Sequence, residues 1–597
     1  MEPNRTDKRR IAAAALVVMA LAAAMLHVFK YRLFVAAALM INYARSSVAP
    51  PGTLTLEMAP VAQDGAFGAA VPTAPVPESI ASSLDWPSYN RALTSARYSP
   101  LDQINRDNVG TLRVLCTYDT KERGRFSTGP IVVNGTLIGT TDHDIFSIDA
   151  ATCRENWRTH EHYANGILNG NRGAAYLDGR LYRGSPDGRV LAYDFKTGTR
   201  LWQTSIANAQ LGESTSAAPI AWNGLIFMGN AGGDSKGVKG RIYALDAGTG
   251  KIVWEFFLVP RQLGDPTRGP QATTPLDAST WANQPMTPIT GGATWTSYTL
   301  DPTREELYVP SGNAAPDFAT GPREGANLYS GSVVVLDATT GAYKRHFKVV
   351  PRDWHDWDVS NTPALIETRT GKRLLSVAPK DGHLYGFDLD SNALLYRMPV
   401  TRIENADAIF STDEAVHFCP GSGGGGEWNS PAYDPQTNLI LTGEVDWCTT
   451  VTLQTDANIR AVGLGQLWTG MATRNPYNIL GAMDSYRRWA GWVYASDADT
   501  GAWKWRTKSN YPILSGMTPT AGGVVFFGDM GGNFYALETA TGRRLWGKNL
   551  GGAIGGGVTT YLAGGAQRVA VAAGYTAILW PTKIVTGKIV ILGLPGT

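Results

Sequence analysis

The sequence predicts an all-β fold built as a radial propeller. Three observations point to it: a short pattern ending in tryptophan that recurs along the chain, an excess of glycine, and an abundance of tryptophan. The 597 residues include 67 glycines and 18 tryptophans, a composition that suits short aromatic strands joined by tight turns better than helices. The pattern runs strand, Asp, two residues, Thr-Gly, three residues, Trp. It reads YDFKTGTRLW up to Trp202, LDAGTGKIVW up to Trp254, SDADTGAWKW up to Trp505 and LETATGRRLW up to Trp546. Looser copies are IDAATCRENW ending at Trp157, LDATTGAYKR at 336–345 and FDLDSNALLY ending at Tyr396. Each suits a hairpin: the Asp and Thr side chains satisfy the turn, Gly supplies a positive φ, and Trp packs against a neighbouring unit. The copies recur every 40 to 60 residues or so (about one four-stranded blade). Together with a gap between Tyr396 and Ser496 long enough for an unmarked blade, and a strand-like C-terminal segment from Val569 to Leu592 able to close the ring, they lead to an expectation of eight blades.

In chain order, residues 1–45 read as a membrane anchor. Arg5, Lys8, Arg9 and Arg10 precede an uncharged apolar run from Ile11 to Phe29, long enough to cross a bilayer. Positive charge before the run keeps the N-terminus cytoplasmic and sends the remainder outward. No small-residue cleavage site is clear, so an uncleaved anchor is preferred to a removed signal peptide. The second apolar stretch, Leu33 to Ile41, is too short to span alone; it continues the anchor, lies at the interface, or forms a second crossing. Residues 46–84, rich in Ala, Pro and Val, read as an extended tether, and 85–597 as the propeller. The expected location is the cell inner membrane with the propeller facing the periplasm. Charged residues are 17% and the net charge is +2, which gives no electrostatic footprint for nucleic acid.

Long loops interrupt the blades at 259–290, 314–331, 402–430 and 451–490, and in a radial fold they gather at one mouth of the channel. Residues 353–358 read DWHDWD. A carboxylate wedged between indoles is partly desolvated, so it accepts a proton near neutral pH or neutralises a metal ion; the plainer reading is a solvated acidic loop over buried tryptophans. The repeat tryptophans themselves read as structural. Four cysteines in an exported chain suit disulfides, though sequence does not fix their connectivity. No Cys-x-x-Cys-His is present, which excludes covalent haem.

From about Trp86 to the end, the chain resembles the pyrroloquinoline quinone (PQQ)-dependent alcohol and glucose dehydrogenases, eight-bladed quinoprotein propellers. The likeness begins at WPSYNRALTSARYSPLDQINRDNVGTL and continues through the tryptophan repeats. Asn171-Arg172-Gly173 resembles the segment whose arginine binds the quinone, a role for which a guanidinium fork is suited. GGATW at 291–295 resembles the segment whose tryptophan stacks on the quinone, and SGNAAP at 311–316 the one whose asparagine ligates the metal through its amide oxygen. The likeness thus implies cofactor-binding roles for Arg172, Ser185 and Trp295 and a metal-ligand role for Asn313. Matching Pro363 to the family's proline downstream of its catalytic aspartate makes Asp356 the base, also a metal ligand, and Asp358 the extra acidic position of some members. APKDGHLYGFD at 378–388 resembles the turn whose basic residue hydrogen-bonds the quinone, which implies Lys380. Cys419 and Cys448 bracket a stretch that resembles a disulfide-bounded loop of the family, which leaves Cys116 and Cys153 as candidates for a second disulfide across strands of the first blade, and Glu427 and Trp428 fall where the family places residues near the quinone.

The chain departs from the family in three places. The paired adjacent cysteines of many members are absent from 165–172, Ser127 stands where a glutamate contacts the quinone, and Ser235 aligns with a glutamate metal ligand, so that Asp234 beside it is the stand-in. The resemblance implies oxidation of an alcohol, polyol or sugar-like hydroxyl by hydride transfer to a metal-bound quinone. The ion would be Ca²⁺, or a lanthanide if Asp358 ligates it, and electrons would pass to cytochrome c or ubiquinone. Two other expectations stand beside it: a non-catalytic propeller scaffold, and a degenerate quinoprotein that has lost its cofactor.

Overall fold

Trp157, at the end of the first copy of the repeat, lies over Gly198 in the turn of the next copy, and its Nε1 donates to the Phe195 carbonyl at 3.1 Å. The same step repeats around the molecule. Trp202 donates to the Ala247 carbonyl (3.1 Å), Trp254 to Ala338 (3.2 Å), the Tyr396 hydroxyl to Ala498 (3.1 Å) and Trp505 to Thr539 (2.9 Å). In the turns from Asp149 to Asp497 the Asp carboxylate accepts from the backbone and hydroxyl ahead of it, and in the last copy Glu538 accepts the Thr541 hydroxyl. Asp194 Oδ1 takes the Thr197 N–H at 2.8 Å and the Thr197 hydroxyl at 2.9 Å, and Gly198 adopts φ +69°. A β-carbon there would run into the Trp157 ring, so glycine is required both for the left-handed backbone and for the indole's approach.

In this computed structural model, residues 84–597 are described except 164–169, 277, 284–286, 473–479, 578 and 597, together with the strand Leu56–Met58 and three isolated positions before it. Among them are eight antiparallel blades in chain order, seven of four strands and one, blade 6, of five. Blades 1 to 7 span 131–160, 175–205, 220–257, 299–348, 364–399, 432–509 and 518–549, and blade 8 joins 558–593 to the early strand Arg113–Asp119. The expected anchor (1–45) lies outside the described residues apart from three single positions, and among the described residues no helix is long and apolar enough to cross a membrane. Within the expected tether, Leu56–Met58 pairs antiparallel with the outer strand of blade 6, Met58 opposite Thr507.

The eight blades are made up differently from the expectation. The gap between Tyr396 and Ser496 holds no additional blade. It contains the two inner strands of blade 6 (Ala432–Asp434 and Leu439–Asp446), a small sheet of Val416–Phe418, Thr449–Val451 and Ala482–Met483, and the helix Asp456–Ala461. The C-terminal segment is a full blade, and Arg113–Asp119 supplies its outer strand, with Val114 opposite Leu592. Tyr561 of blade 8 then does for blade 1 what the tryptophans do elsewhere, its hydroxyl donating to the Ala150 carbonyl at 2.9 Å.

Both disulfides form, Cys116–Cys153 and Cys419–Cys448. The first does not lie within one blade as expected. Cys116 sits on the outer strand of blade 8 and Cys153 in the outer turn of blade 1, so the bond crosses the seam where the ring closes. A loop of 37 residues implies, on chain-entropy grounds, roughly 4 kcal/mol of stabilisation. Cys116→Ser with Cys153→Ser is therefore expected to lower the melting temperature by several degrees, whereas removal of an internal cross-link within one sheet would leave the seam intact; thermal unfolding followed by circular dichroism measures it.

Strand polarity decides where function can sit. In every blade the first strand starts, and the second strand ends, at the same end of the ring; the tryptophan turns lie at the opposite end. The four long loops all connect elements at the first end, and so do the segments carrying the candidate residues. Between them lies a core of interdigitated aliphatic and aromatic side chains from neighbouring blades. Asp434 is buried within this framework, held by Thr437 and the Gln436 N–H, and burial pushes its pKa up to about 6. An acid raised in the folded state stabilises most below pH about 4, and that contribution, about 3 kcal/mol, is lost as pH rises through about 6. Asp434→Asn is expected to flatten this part of the stability–pH profile, read from urea midpoints between pH 4 and 7.

Candidate active site

The DWHDWD loop divides its aspartates between two tasks. Asp353 turns back into the protein, where its Oδ1 accepts the backbone N–H of His355 (3.0 Å) and Trp357 (3.1 Å), and Arg323 donates to its carbonyl at 2.8 Å. His355 stacks on Trp357 with centroids 4.0 Å apart and meets Phe410 and Phe418 edge-on; burial holds its imidazole down to about 3, hence neutral. This aromatic wedge fixes the tight turn that carries Asp356 at φ +66°, a backbone rarely adopted by residues other than glycine and asparagine. Asp356 and Asp358 face the other way.

Lys380, in the turn between the second and third strands of blade 5, reaches both. Its Nζ lies 3.3 Å from Asp356 Oδ2 and 2.7 Å from Asp358 Oδ2. Lys380 is only 7% exposed, not solvated as an isolated turn lysine would be. Burial alone would lower its pKa, but Asp356, Asp358 and Glu427 outweigh burial and hold it well above the ordinary range. Gly424 makes room for this side chain, since a β-carbon there would come within 2.6 Å of Lys380 Cγ. Asp358 also accepts the Asn313 N–H on Oδ1 at 2.9 Å, so both its oxygens are engaged. For Asp356 the balance is different: burial first, then the charges of Asp358, Asp234 and Asp353, raise its carboxyl well above the usual range, against the pull of Lys380. That is the condition a general base needs.

Beside this pair lies an aromatic platform. Trp295, half-buried at the start of blade 4, has the Arg172 guanidinium 4.6 Å and the Lys380 Nζ 5.6 Å from its ring centroid. Arg172 donates to the Trp295 carbonyl at 2.9 Å and lies 5.0 Å from the Trp428 ring, while its buried Nε has no acceptor. Trp428 is fixed by a 2.7 Å bond from its Nε1 to the Gly555 carbonyl. Glu427 is buried next to it, pushed by burial up to about 7 against Lys380.

Asp234, in the hairpin of blade 3, closes the cluster beside Asp356, with Asp317 as a member the sequence did not mark. Its carboxylate shares a space with those of Asp356 and Asp317, one oxygen from each lying within 4.8 Å of the others. Burial, then the charge of Asp358, push Asp234 up to about 6, and Asp317 is raised well above the ordinary range by burial and by Asp234 and Asp356. Asn313 belongs here as well, donating from Nδ2 to Asp317 Oδ1 at 3.0 Å. Asp317 escaped the reading of the sequence, although its position four residues after Asn313 in SGNAAPD was a usable signal. Ser185 stands apart. Its hydroxyl bonds Asp187 and Arg189 and its N–H the Thr215 hydroxyl (2.8 Å), so it builds a turn of blade 2 and makes none of the contacts of this cluster.

An eight-bladed propeller whose mouth carries a lysine-bridged carboxylate group beside an indole platform has the architecture of a quinoprotein dehydrogenase. The chain belongs to the PQQ glucose/ethanol/alcohol dehydrogenase β-propeller family, whose model matches residues 86–404, and residues 490–590 match the model of the outer membrane protein assembly factor BamB. It is 31% identical over 575 residues, 86% of this chain and 75% of the relative, to the dehydrogenase subunit of the alcohol dehydrogenase (quinone) of Gluconobacter oxydans. The lanthanide-dependent methanol dehydrogenase of Methylacidiphilum fumariolicum is 28% identical over 80% of this chain and 82% of its own length. Among solved structures, the quinohemoprotein alcohol dehydrogenase ADHIIG of Pseudomonas putida HK5 superposes with a TM-score of 0.77 at 25% identity, covering 89% of this chain and 83% of that one.

Proposed function

We propose that this enzyme oxidises an alcohol, polyol or sugar-like hydroxyl with PQQ, using Asp356 as the general base. The observation that carries the proposal is the meeting, at one mouth of the ring, of a buried carboxylate of raised proton affinity, the lysine that bridges it to Asp358, and the Trp295 platform under Arg172. The residues present fit the groups the family uses. Asp234, Asp317 and Asp356 converge with the Asn313 amide beside them, and Asp356 and Asp358 share the single ammonium of Lys380, an excess of negative charge that suits a hard cation, Ca²⁺ or a lanthanide. The unpaired Arg172 Nε and the two indoles suit a flat anionic quinone.

When bound, the quinone supplies the hydride acceptor and the cation supplies Lewis acidity. The protein's own residues do the rest. Asp356 takes the hydroxyl proton, so the two electrons leave the carbon with its hydrogen and a carbonyl product remains. Lys380 keeps Asp356 in place and offsets the charge of Asp358. Trp295 and Trp428 exclude water from two faces of the site. The sequence holds no Cys-x-x-Cys-His motif for covalent haem, which supports a separate electron carrier, cytochrome c or ubiquinone. The basic cluster and apolar run at the N-terminus, with the disulfides, support a propeller tethered to the inner membrane and facing the periplasm.

The test is a titration of the full-length protein with PQQ in Ca²⁺ and, separately, La³⁺, followed by dye-linked assays on primary alcohols. Saturable one-to-one binding that needs the ion, with alcohol-dependent dye reduction, is expected. Folded protein that binds no PQQ with either ion would falsify the proposal in favour of a scaffold.

A further inference from the structure

We propose that Asp317 is a ligand of the metal ion, and that the ion's carboxylates come from Asp234, Asp317 and Asp356 while Asp358 serves as the counter-ion of Lys380. This rests on the metal-dependent reading above and departs from it in the donor set. The side chains of the three aspartates converge, one oxygen of each lying within 4.8 Å of the other two. Asp358 is outside that group. Its Oδ2 is held by Lys380 at 2.7 Å and its Oδ1 by the Asn313 N–H at 2.9 Å. Gly312 permits that approach, because a β-carbon there would meet Asp358 Oδ1 at 2.5 Å.

A second, independent observation concerns Asp317 alone. The residue is fully buried, Oδ1 accepts from Asn313, and Oδ2 has no partner. A buried carboxylate oxygen without a donor costs several kcal/mol unless a cation meets it. The nearest guanidinium does not: Arg323 spends its donors on the carbonyls of Pro316, Asp317 and Asp353 and on Asn327 Oδ1. Among the described residues neither Asp317 nor Asp234 forms an ion pair, and Lys380 reaches only Asp356 and Asp358. Asn313 is oriented to match. With its Nδ2 turned to Asp317, its amide oxygen is left as a further hard donor, so the site offers three carboxylates and one carbonyl. Three negative charges attract a trivalent ion more strongly than a divalent one in the same geometry.

The experiment measures metal affinity directly on the metal-free, full-length protein, by calorimetry with Ca²⁺ and by tryptophan-sensitised luminescence with Tb³⁺, with no alcohol turnover involved. Asp317→Asn is expected to weaken Ca²⁺ by about 10-fold and Tb³⁺ by about 100-fold, the larger charge losing more. Asp358→Asn is expected to weaken both by less than Asp317→Asn does. Asp317→Ser, which leaves Asn313 an acceptor on a smaller side chain, carries the same expectation and serves if the first variant does not fold. Wild-type affinity in a folded Asp317 variant, or an equal or larger loss in Asp358→Asn, overturns the assignment while leaving the dehydrogenase reading in place. A wild-type protein that binds neither ion overturns both.

Discussion

Replacing Asp356 by asparagine is expected to lower kcat for alcohol oxidation on the order of 10³-fold, the scale of a lost general base, with the fold retained and PQQ bound when Ca²⁺ is supplied in excess to offset the loss of one carboxylate ligand. Asparagine is the right substitution because Asp356 adopts φ +66°, where asparagine is tolerated and alanine strained. The amide also keeps an oxygen within reach of Lys380 and removes one of several crowded negative charges, so the variant should melt no lower than the wild type. Dye-linked turnover and circular dichroism together read the result. If activity stays within tenfold of wild type, the base lies elsewhere, and Glu427, held at about 7 by burial, becomes the residue to replace next.

Replacing Lys380 by methionine is expected to destabilise the metal-free protein by about 3–5 kcal/mol, the loss that follows when one partner of a buried ion pair is removed. The flexible apolar side chain fills much of the same space beside Gly424, so the loss reads the charge rather than a cavity. Asp356 and Asp358 then face each other with Asp234 and Glu427 nearby and no ammonium between them. The deficit should shrink as pH falls and these acids take up protons, which distinguishes it from a packing defect. Denaturant midpoints at pH 7 and pH 5 measure it; an unchanged midpoint at pH 7 would mean that the carboxylates are already protonated there and that the lysine is not their counter-ion.

The sequence displays the parts of this protein that are local and repeated. A turn built by Asp194, Thr197 and Gly198 is complete within a few residues, and its tryptophan four positions on points to a neighbour of the same design, so the kind of blade was legible and seven of the eight were marked. Arg172, Trp295, Asn313, Asp356 and Lys380 were legible for another reason: each sits in a segment resembling a known family. What sequence conceals are relations made only by closing the ring. Nothing in residues 113–119 says that their partner is 588–593, so Cys116 looked like a neighbour of Cys153 within one blade rather than across a seam. The span from Tyr396 to Ser496 looked long enough for a blade because an insertion and half a blade together have the right length. Asp317 lay in a loop of small residues with no period to mark it, and only the approach of the blade 3 hairpin carrying Asp234 gives it a role. Ser185 differs from these in that its hydroxyl is engaged within its own turn, by Asp187 and the Arg189 carbonyl.

The strand Arg113–Asp119 makes the first and last parts of the propeller interdependent. During synthesis it emerges before any blade is complete, yet the sheet it completes requires residues 588–593, the last strand of blade 8. Until those arrive, it has no sheet of its own and the ring presents two raw edges, the kind of surface that recruits foreign strands. The bond from Cys116 to Cys153 needs only the first blade and an oxidising compartment, so it can hold the strand beside its eventual place while the other blades accumulate. Shortening the chain by its last ten or so residues (about one strand plus its flanks) would therefore reopen the circle rather than trim an end, and the loss would extend to blade 1 on the other side of the seam.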